Sequence, residues 1–533
     1  MKTRTRKHYL FGLTGLTLLV CAAGLLCLSC GGSPSTLFNP PPAAPIQLTV
    51  ADVMTIVQNA VTSVNAPMVV AVVDRAGNIL AVFQTKPGPP MMSMNLGQMV
   101  RSDDLAVGLA RTAAYFSNDA APLSSRTVRF ISGTHFPPGV AGTANADLYG
   151  IENTNRGCTL STNYLPGKAL NPSLALDGSS GTGIVTGKKD TNDSDPMAVN
   201  PGGVPLFRLG VGGGVVGGVG VVSTSTEIAE FAALSGSNNS GFLPSPAQLP
   251  PPGVVIVGGI ALPFVDQTTP PAGTSPGSFT GSYEISPTKS GVPPPEGYLV
   301  GPNAGSALSA SDVDEIIMNA VATANITRAV IRLPSDSAAR MTIAVSDLDG
   351  TLLGFYRMPD GTIFSSDVAA SKARNVVWYS TVGVTDLPGV PAGTAVTNRT
   401  ISFGAQPLFP PGIDGSDNGP FFPLFLYDTM HPCTQGPSSQ AFPPNTNNMS
   451  GIVFFPGSLP LYRNGKLVGG LGVSGDGVDQ DDFVTGGAVN AACGAGGPCG
   501  VPDFQAPANI RADQVVIENV RLPYLKFPRN PTR

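Results

Sequence analysis

Histidine is the side chain that most often acts as an acid, a base or a metal ligand near neutral pH. Only three of the 533 residues are histidines, and His8 lies in the N-terminal segment, which leaves His135 and His431 for chemistry. No Ser-His-Asp, Cys-His or paired-carboxylate arrangement stands out, and two histidines are too few for a metal site without more ligands. The sequence therefore does not indicate an enzyme or a bound metal ion.

The seven cysteines are the next residues with possible chemistry. Three lie in the N-terminal segment, and the other four are Cys158, Cys433, Cys493 and Cys499. In an oxidising compartment four cysteines fit two disulfides, and three pairings are open. Cys493 and Cys499 flank a short Gly-rich stretch, so a local bridge is the simplest expectation. Cys158 with Cys433 would then join the two halves of the chain.

Two basic side chains occupy matching positions in two predicted helices, Arg111 and Arg374, and Lys372 lies close to the second. Such cations can pair with the carboxylates of a small organic acid. The alternative is that they are solvated or salt-bridged helix residues.

The acidic residues from Asp476 to Asp482 could suggest a calcium site. Their spacing does not match an EF-hand, and carboxylates at a helix N-terminus explain them better.

Residues 1–30 have the pattern of a secretory signal. Four basic residues precede residue 8, residues 9–28 are almost uninterruptedly apolar, and Ser29-Cys30 follows. This end resembles the bacterial lipobox, in which the cysteine is lipidated, although Cys27 stands where Leu is preferred. An uncleaved anchor and plain secretion are the alternatives. All three predict export of the rest of the chain. The lipid-anchored form would lie in the bacterial cell envelope, periplasmic or surface-exposed, with residues 31–47 as a flexible tether.

Charge separates this chain from proteins that bind nucleic acid. Only 12% of its residues are charged, and the formal net charge is −5. Nucleic-acid binding proteins usually carry more charge, and of the opposite sign. We therefore expect no nucleic-acid partner, and membrane contact only through the N-terminal lipid.

The elements that must position these residues are clearest near the C-terminus. Apolar runs at 459–462 and 467–473 flank Asn464-Gly465, which favours a type I′ turn and predicts a β-hairpin. Gly469, Gly470 and Gly472 in the second strand predict that another element packs close to its backbone.

A weaker copy of this hairpin lies at 203–222, and other patterns repeat with it. Thr49 with Asp52 and Ser309 with Asp312 have capping-box spacing before similar apolar stripes. The repetition predicts two homologous α+β domains at 48–266 and 308–527, each an antiparallel sheet of about five strands with flanking helices. Residues 267–307 are rich in Pro, Gly and Ser and are predicted to be a linker.

Three of the repeated motifs resemble a known family. They are a Val-Val-Asp-x-x-Gly hairpin, an Asp-x-Ala-x-x-Lys-Ala-Arg helix and a Gly-Val-Ser-Gly strand end, and together they are similar to the GlcG/HbpS-like haem-binding domain, also called the haem-degrading domain. The resemblance covers most of both domains and is most specific in the second, because Leu109 replaces the lysine in the first. It implies a five-stranded antiparallel sheet, oligomerisation and, in some members, extracellular haem binding.

The resemblance gives the candidate residues a possible ligand. His431 and Met430 become candidate haem-iron ligands, and His135 is a further candidate. Lys372, Arg374 and Arg111 become candidate partners for the porphyrin carboxylates. The alternatives are that His431 is an ordinary loop histidine beside a disulfide, that the protein is a structural or interaction lipoprotein without haem, or that it binds another small organic acid.

Overall fold

The computed structural model describes residues 47–489 and 504–533, apart from gaps at 87, 90, 162, 166, 169, 171–172, 190, 192–198, 210–212, 245–253, 258–259, 335 and 441–447. The predicted signal with Cys30, residues 31–46, and the pair Cys493 and Cys499 lie outside the described residues. Pro45–Arg533 forms one compact unit. Within the described ranges, no helix is both long and apolar enough to cross a membrane.

The helices are α1 (Val50–Ser63), α2 (Ser102–Phe116), α3 (Ser125–Phe130), α4 (Thr226–Asn238), α5 (Ala310–Ile326), α6 (Phe364–Ser380), α7 (Asn398–Gly404), α8 (Phe422–Met430) and α9 (Val478–Val489). Short 3₁₀ turns lie at Asn95–Gly97, Ile151–Asn153, Pro437–Gln440, Ala508–Ile510 and Ala512–Gln514.

The strands are β1 (Met68–Asp74), β2 (Ile79–Thr85), β3 (Met92–Ser93), β4 (Met99–Val100), β5 (Gly203–Arg208), β6 (Gly214–Ser223), β7 (Val254–Val257), β8 (Ile260–Pro263), β9 (Gly281–Ile285), β10 (Gly297–Val300), β11 (Thr342–Ser346), β12 (Leu352–Arg357), β13 (Ser458–Arg463), β14 (Lys466–Ser474), β15 (Val516–Ile517) and β16 (Val520–Arg521).

Two five-stranded sheets organise these elements. The first has the order β5-β6-β1-β2-β9 and the second the order β13-β14-β11-β12-β10, with antiparallel neighbours throughout. Helices pack on the sheets, α2 on β6 and α6 on β14. The predicted α+β class, with about five antiparallel strands and flanking helices in each of two domains, is confirmed.

The fifth strand of each sheet comes from the segment predicted as a linker. β9 pairs with β2 at the edge of the first sheet, and β10 pairs with β12 at the edge of the second. Residues 267–307 are therefore part of both sheets as well as the connection between them. Their Pro/Gly/Ser-rich composition gave no strand signal, because edge strands depend on pairing with distant residues.

Local sequence signals account for the repeated helix starts. The Thr49 hydroxyl accepts a hydrogen bond from Asp52 N, and the Asp52 carboxylate accepts one from Thr49 N at 2.8 Å. Ser309 and Asp312 form the same capping box at α5. Each box satisfies amide groups that a helix start leaves without partners.

The hairpin glycines act as the spacing predicted. Asn464 and Gly465 both have positive φ, 52° and 75°, so the β13–β14 turn has the backbone sign of a type I′ turn. A Cβ atom on Gly470 or Gly472 would overlap the carbonyl oxygens of Ala373 and Ala369 in α6. Helix α6 therefore lies directly against the β14 backbone, which fixes the side chains of its inner face.

The two domains meet across a shared core. Phe116 at the end of α2 stacks on Phe364 at the start of α6, with ring centroids 4.1 Å apart. Ile363 N donates to Tyr115 O at 3.1 Å. Arg332 bridges the junction because its guanidinium pairs with Asp476 and Asp360 and also donates to the Asn118 side chain.

Candidate functional site

Helix α8 carries an exposed apolar surface that contains two of the candidate ligands. Its inner face is buried, and Phe425 stacks on Tyr149 and meets Phe454 edge-on. Its outer face exposes 45% of Leu426 and 72% of Met430. Leu426, Tyr427, Met430 and His431 together are called the α8 strip below. An exposed apolar strip beside a histidine is a surface on which a flat ligand can lie.

His431 ends α8 and has a defined ring orientation. Its Nδ1 lies 3.0 Å from the Tyr427 carbonyl oxygen, and its ring stacks on the Tyr427 ring at 4.2 Å. A carbonyl oxygen only accepts hydrogen bonds, so Nδ1 carries the proton in the neutral imidazole. The lone pair is then on Nε2 of this exposed residue. A histidine whose other nitrogen donates to a carbonyl is the usual arrangement of a metal-ligating imidazole.

The inner side of α8 is fixed by a buried polar cluster and a disulfide. Cys158 is bonded to Cys433, two residues after His431, and this bridge joins the two domains as expected. Arg156 donates to the Asp428 carbonyl oxygen at 2.7 Å, and the Asp428 carboxylate accepts from Ile452 N at 3.0 Å. Burial raises the pKa of Asp428 to about 7, and the nearby Arg156 opposes this shift. These contacts fix the inner side of α8 and therefore the position of the α8 strip.

His135 lies in a different environment from that of His431. It is buried, its Nδ1 lies 2.8 Å from the Thr143 carbonyl oxygen, and its Nε2 lies 3.5 Å from Asp414 Oδ1. The nitrogen that would bind iron faces a carboxylate of the second domain. The two candidate histidines therefore differ in environment: His431 is exposed and His135 is buried.

Lys372 is fully buried and engaged within the protein. Its Nζ donates to Asp481 Oδ2 at 2.9 Å and to the Val473 carbonyl oxygen at 2.8 Å, and it lies 4.9 Å from the centre of the Phe455 ring. Burial lowers the pKa of Lys372 and raises that of Asp481 to about 7. This pair ties α6 to α9 and presents no charge to solvent.

The two matched arginines make equivalent contacts with the backbone. Arg374 Nε donates to Gly350 O at 2.9 Å, and Arg111 Nε donates to Gly77 O at 3.0 Å. Both glycines lie in the first hairpin turn of their domain. Other nitrogens of each guanidinium donate to carbonyl oxygens of a long loop, at Leu174 for Arg111 and at Thr159 and Leu160 for Arg374. Both side chains are buried, so they are not solvated and do not face a ligand carboxylate. They instead stabilise a hairpin turn and a loop through hydrogen bonds to carbonyl oxygens.

The acidic run also has internal partners. Arg399 pairs with Asp479 and Asp482, and Asp476 pairs with Arg332. In the first domain Arg126 pairs with Glu230 at 2.7 Å in the corresponding place. The sequence analysis did not assign these ion-pair partners, which lie far apart in the chain. Among the described residues, no group of three or more His, Cys, Asp or Glu side chains is placed to hold a metal ion.

Two recesses lie at the junction of the domains. A charged recess of about 180 Å³ is lined by Arg75 and Asp119 of the first domain and by Arg357 and Asp360 of the second. An apolar recess of about 130 Å³, called the junction cleft, lies between Phe136 and Ile331. Neither volume would enclose a porphyrin of four pyrrole rings.

Comparison with known proteins supports the resemblance in the second domain. Residues 308–490 match the family model described as haem degrading protein HbpS-like. Corrinoid adenosyltransferase PduO of Citrobacter freundii is 27% identical over 157 residues, which cover 29% of this chain and 33% of the relative. PduO of Salmonella typhimurium is 27% identical over 156 residues with the same coverage. The chain thus spans about a third of the length of these curated relatives.

Two solved structures are also similar to about a third of this chain. The crystal structure of a PduOC:heme complex is 24% identical, with a TM-score of 0.21, and the match covers 34% of this chain and 96% of that one. Klebsiella pneumoniae protein ORFY is 16% identical, with a TM-score of 0.21, over 35% of this chain and 90% of that one. At TM-scores this low, individual residues of these structures are not matched to residues of this chain.

Proposed function

We propose that this protein binds haem on the α8 strip, with His431 Nε2 as the iron ligand. The carrying observation is the His431 ring, whose Nδ1 is held by the Tyr427 carbonyl oxygen while the residue stays exposed beside Met430. The strip lies inside residues 308–490, the segment that matches the haem-degrading HbpS-like family.

The side chains of the strip suit this ligand. A neutral imidazole is a common axial ligand of haem iron, and apolar Leu426 and Met430 side chains can cover part of a porphyrin face. Because the site is open, one face of the haem would stay in contact with solvent, and exchange with other haem carriers would be fast. A bound haem would supply the redox chemistry of its iron, and this chain would supply the ligand, the apolar contact and the orientation.

Binding of a small organic acid by Lys372, Arg374 and Arg111 has no support from the geometry. All three side chains are buried and donate to protein oxygens. The competing hypothesis is a lipoprotein that has kept the fold but binds no ligand.

We further propose that the chain is exported, lipid-anchored through Cys30 in the cell envelope, and built from a duplicated domain. Matching hydrogen bonds support the duplication: Thr127 Oγ1 donates to Pro263 O and Thr400 Oγ1 donates to Pro523 O, both at 2.7 Å. The first 30 residues support export through their signal pattern. Mass spectrometry of the mature N-terminus would test the lipid, and an unmodified Cys30 would contradict it.

A haem titration of the mature protein, followed by absorbance, tests the ligand. We expect a saturable shift of the Soret band at one haem per chain. His431→Ala should abolish the shift, whereas His135→Ala, the matched control with its Nε2 facing Asp414, should retain it. Equal titration curves for His431→Ala and the unmodified protein would remove His431 as the ligand, and no shift in folded protein would favour the ligand-free scaffold.

A further inference from the structure

The junction cleft is a second recess of different chemistry, lined by both domains. Its first-domain walls include Phe136, Leu148 and Leu262, and its second-domain wall includes Val330 and Ile331. Leu148, Leu262 and Ile331 are each less than 10% exposed, so the cleft extends the shared core toward the surface. The lining is mostly apolar, which is the common character of small-molecule sites.

The cleft walls are held in place by backbone hydrogen bonds. Leu148 N donates to Ile131 O at 3.0 Å, and Ala146 N donates to Gly133 O at 2.9 Å. On the opposite side, Val330 N donates to Asp476 O at 2.7 Å. These bonds pair polar backbone groups of the walls, and the side chains that line the cleft are mostly apolar. The cavity is preformed.

Two glycines, Gly475 and Gly477, lie in the lining of the cleft. A Cβ atom on Gly475 would overlap the Arg340 carbonyl oxygen, and Gly477 has a φ of +142°. Neither position accepts an ordinary side chain without strain. The cleft volume of about 130 Å³ is near that of an engineered apolar cavity of about 150 Å³ that binds benzene. One ring therefore fits, and a porphyrin does not.

The polar side chains in the cleft lining are Asn145 and Asp147 of the first domain. Asp147 is exposed as a residue, and among the described contacts its carboxylate accepts no hydrogen bond. Desolvation of the carboxyl group and the nearby Asp479 raise the pKa of Asp147, and Lys526 and Arg399 oppose this rise. A carboxylate beside an apolar recess favours a ligand with a cationic group on a short apolar body. We propose that the junction cleft binds small amines that carry a single apolar ring, with the ring between Phe136 and Ile331 and the ammonium group at Asp147. This site is independent of the proposed haem site.

Two probes with the same ring and opposite charge test this proposal. In ligand-observed NMR titrations of the full mature chain, 2-phenylethylamine should bind about fivefold more tightly than 3-phenylpropionate at low salt, the size expected of one solvent-exposed charge pair. Asp147→Asn should remove this preference and keep ring binding. Val330→Phe should fill the cleft and weaken binding of both probes at least tenfold.

The outcomes separate this site from the haem site. His431→Ala should leave the amine affinity unchanged, whatever its effect on haem. Equal affinity of the unmodified protein for the two probes, or a charge preference that survives in Asp147→Asn, would overturn the role of Asp147. Failure of both probes to bind, or unchanged binding in Val330→Phe, would overturn the cleft as the site. Asp147→Asn keeps the size and shape of the side chain, so this variant should fold even where Val330→Phe does not.

Discussion

The buried ion pair Lys372–Asp481 of the second domain can be compared with the residues at the equivalent positions of the first domain. Leu109 stands where Lys372 stands, and Ala229 takes the position of Asp481. The glycines beside the two positions support this match: a Cβ atom on Gly202 would meet Ala229 and the Val221 carbonyl oxygen, and one on Gly457 would meet Asp481 and the Val473 carbonyl oxygen. The first domain therefore keeps the same packing with an apolar pair.

This comparison predicts strongly non-additive effects of substitution. Lys372→Leu leaves the Asp481 carboxyl buried without its cation, and Asp481→Ala leaves the Lys372 ammonium buried with only the Val473 carbonyl oxygen and the Phe455 ring. Each single change should lower the free energy of unfolding by about 3–5 kcal/mol. The double variant, which recreates the first-domain pair, should fall within about 1 kcal/mol of the unmodified protein, because replacing a buried ion pair by apolar residues is often neutral.

Urea unfolding followed by tryptophan fluorescence measures these effects. The chain has a single tryptophan, Trp378, which lies in α6 and so reports on the domain that contains the pair. The loss in Lys372→Leu should be larger at pH 8 than at pH 5. Burial already raises the pKa of Asp481 to about 7, and without Lys372 this pKa would be higher still. At pH 8 the folded variant must therefore either take up a proton or bury an unpaired carboxylate, whereas at pH 5 the buried carboxyl is neutral with or without Lys372.

A surface lysine provides the control. Lys526 pairs with Asp479 at 2.8 Å but is 65% exposed, so Lys526→Leu should change the free energy of unfolding by less than about 1 kcal/mol. Single effects of Lys372→Leu and Asp481→Ala that simply add in the double variant would refute the reasoning, because additivity would mean that the two groups do not depend on each other.

Three further predictions concern the surroundings of the site. Asp428→Asn should raise the free energy of unfolding at pH 8 by up to about 4 kcal/mol and change it little at pH 4, because the raised pKa, about 7 against 3.8, makes stability fall as pH rises through this interval; equal effects at both pH values would contradict it. Cys433→Ser should lower stability by up to about 5 kcal/mol under oxidising conditions, since it opens a cross-link that spans 275 residues, and dithiothreitol should then have no further effect on this bridge. Gly472→Ala should lower the thermal midpoint by several degrees, because the added Cβ atom would overlap the Ala369 carbonyl oxygen, and an unchanged midpoint would show that α6 can shift.

Features set by local sequence were predictable, and features set by distant pairing were not. The capping boxes at Thr49 and Ser309 and the Asn464-Gly465 turn depend on neighbouring residues, and the structure has them as predicted. The edge strands β9 and β10 lie among prolines and glycines and become strands only because β2 and β12 present unpaired edges to them. No local pattern carries that information.

The same distinction holds for the candidate site. His431 and Met430 share the α8 strip because they are adjacent in sequence, so their joint exposure needed no long-range information. The sequence correctly matched Arg111 of the first domain with Arg374 of the second. The direction of each guanidinium, however, depends on which hairpin turn packs against the helix. That contact joins residues far apart in the chain and could not be read from helix periodicity.

The position of both edge strands in the connecting segment has a practical consequence for work on half of the molecule. A fragment that ends at residue 266 would lack β9, and one that starts at residue 308 would lack β10, so β2 or β12 would become an unprotected edge. Unprotected edges promote intermolecular strand pairing and aggregation. Truncation should therefore fall between Ile285 and Gly297, where each half keeps all five strands of its own sheet.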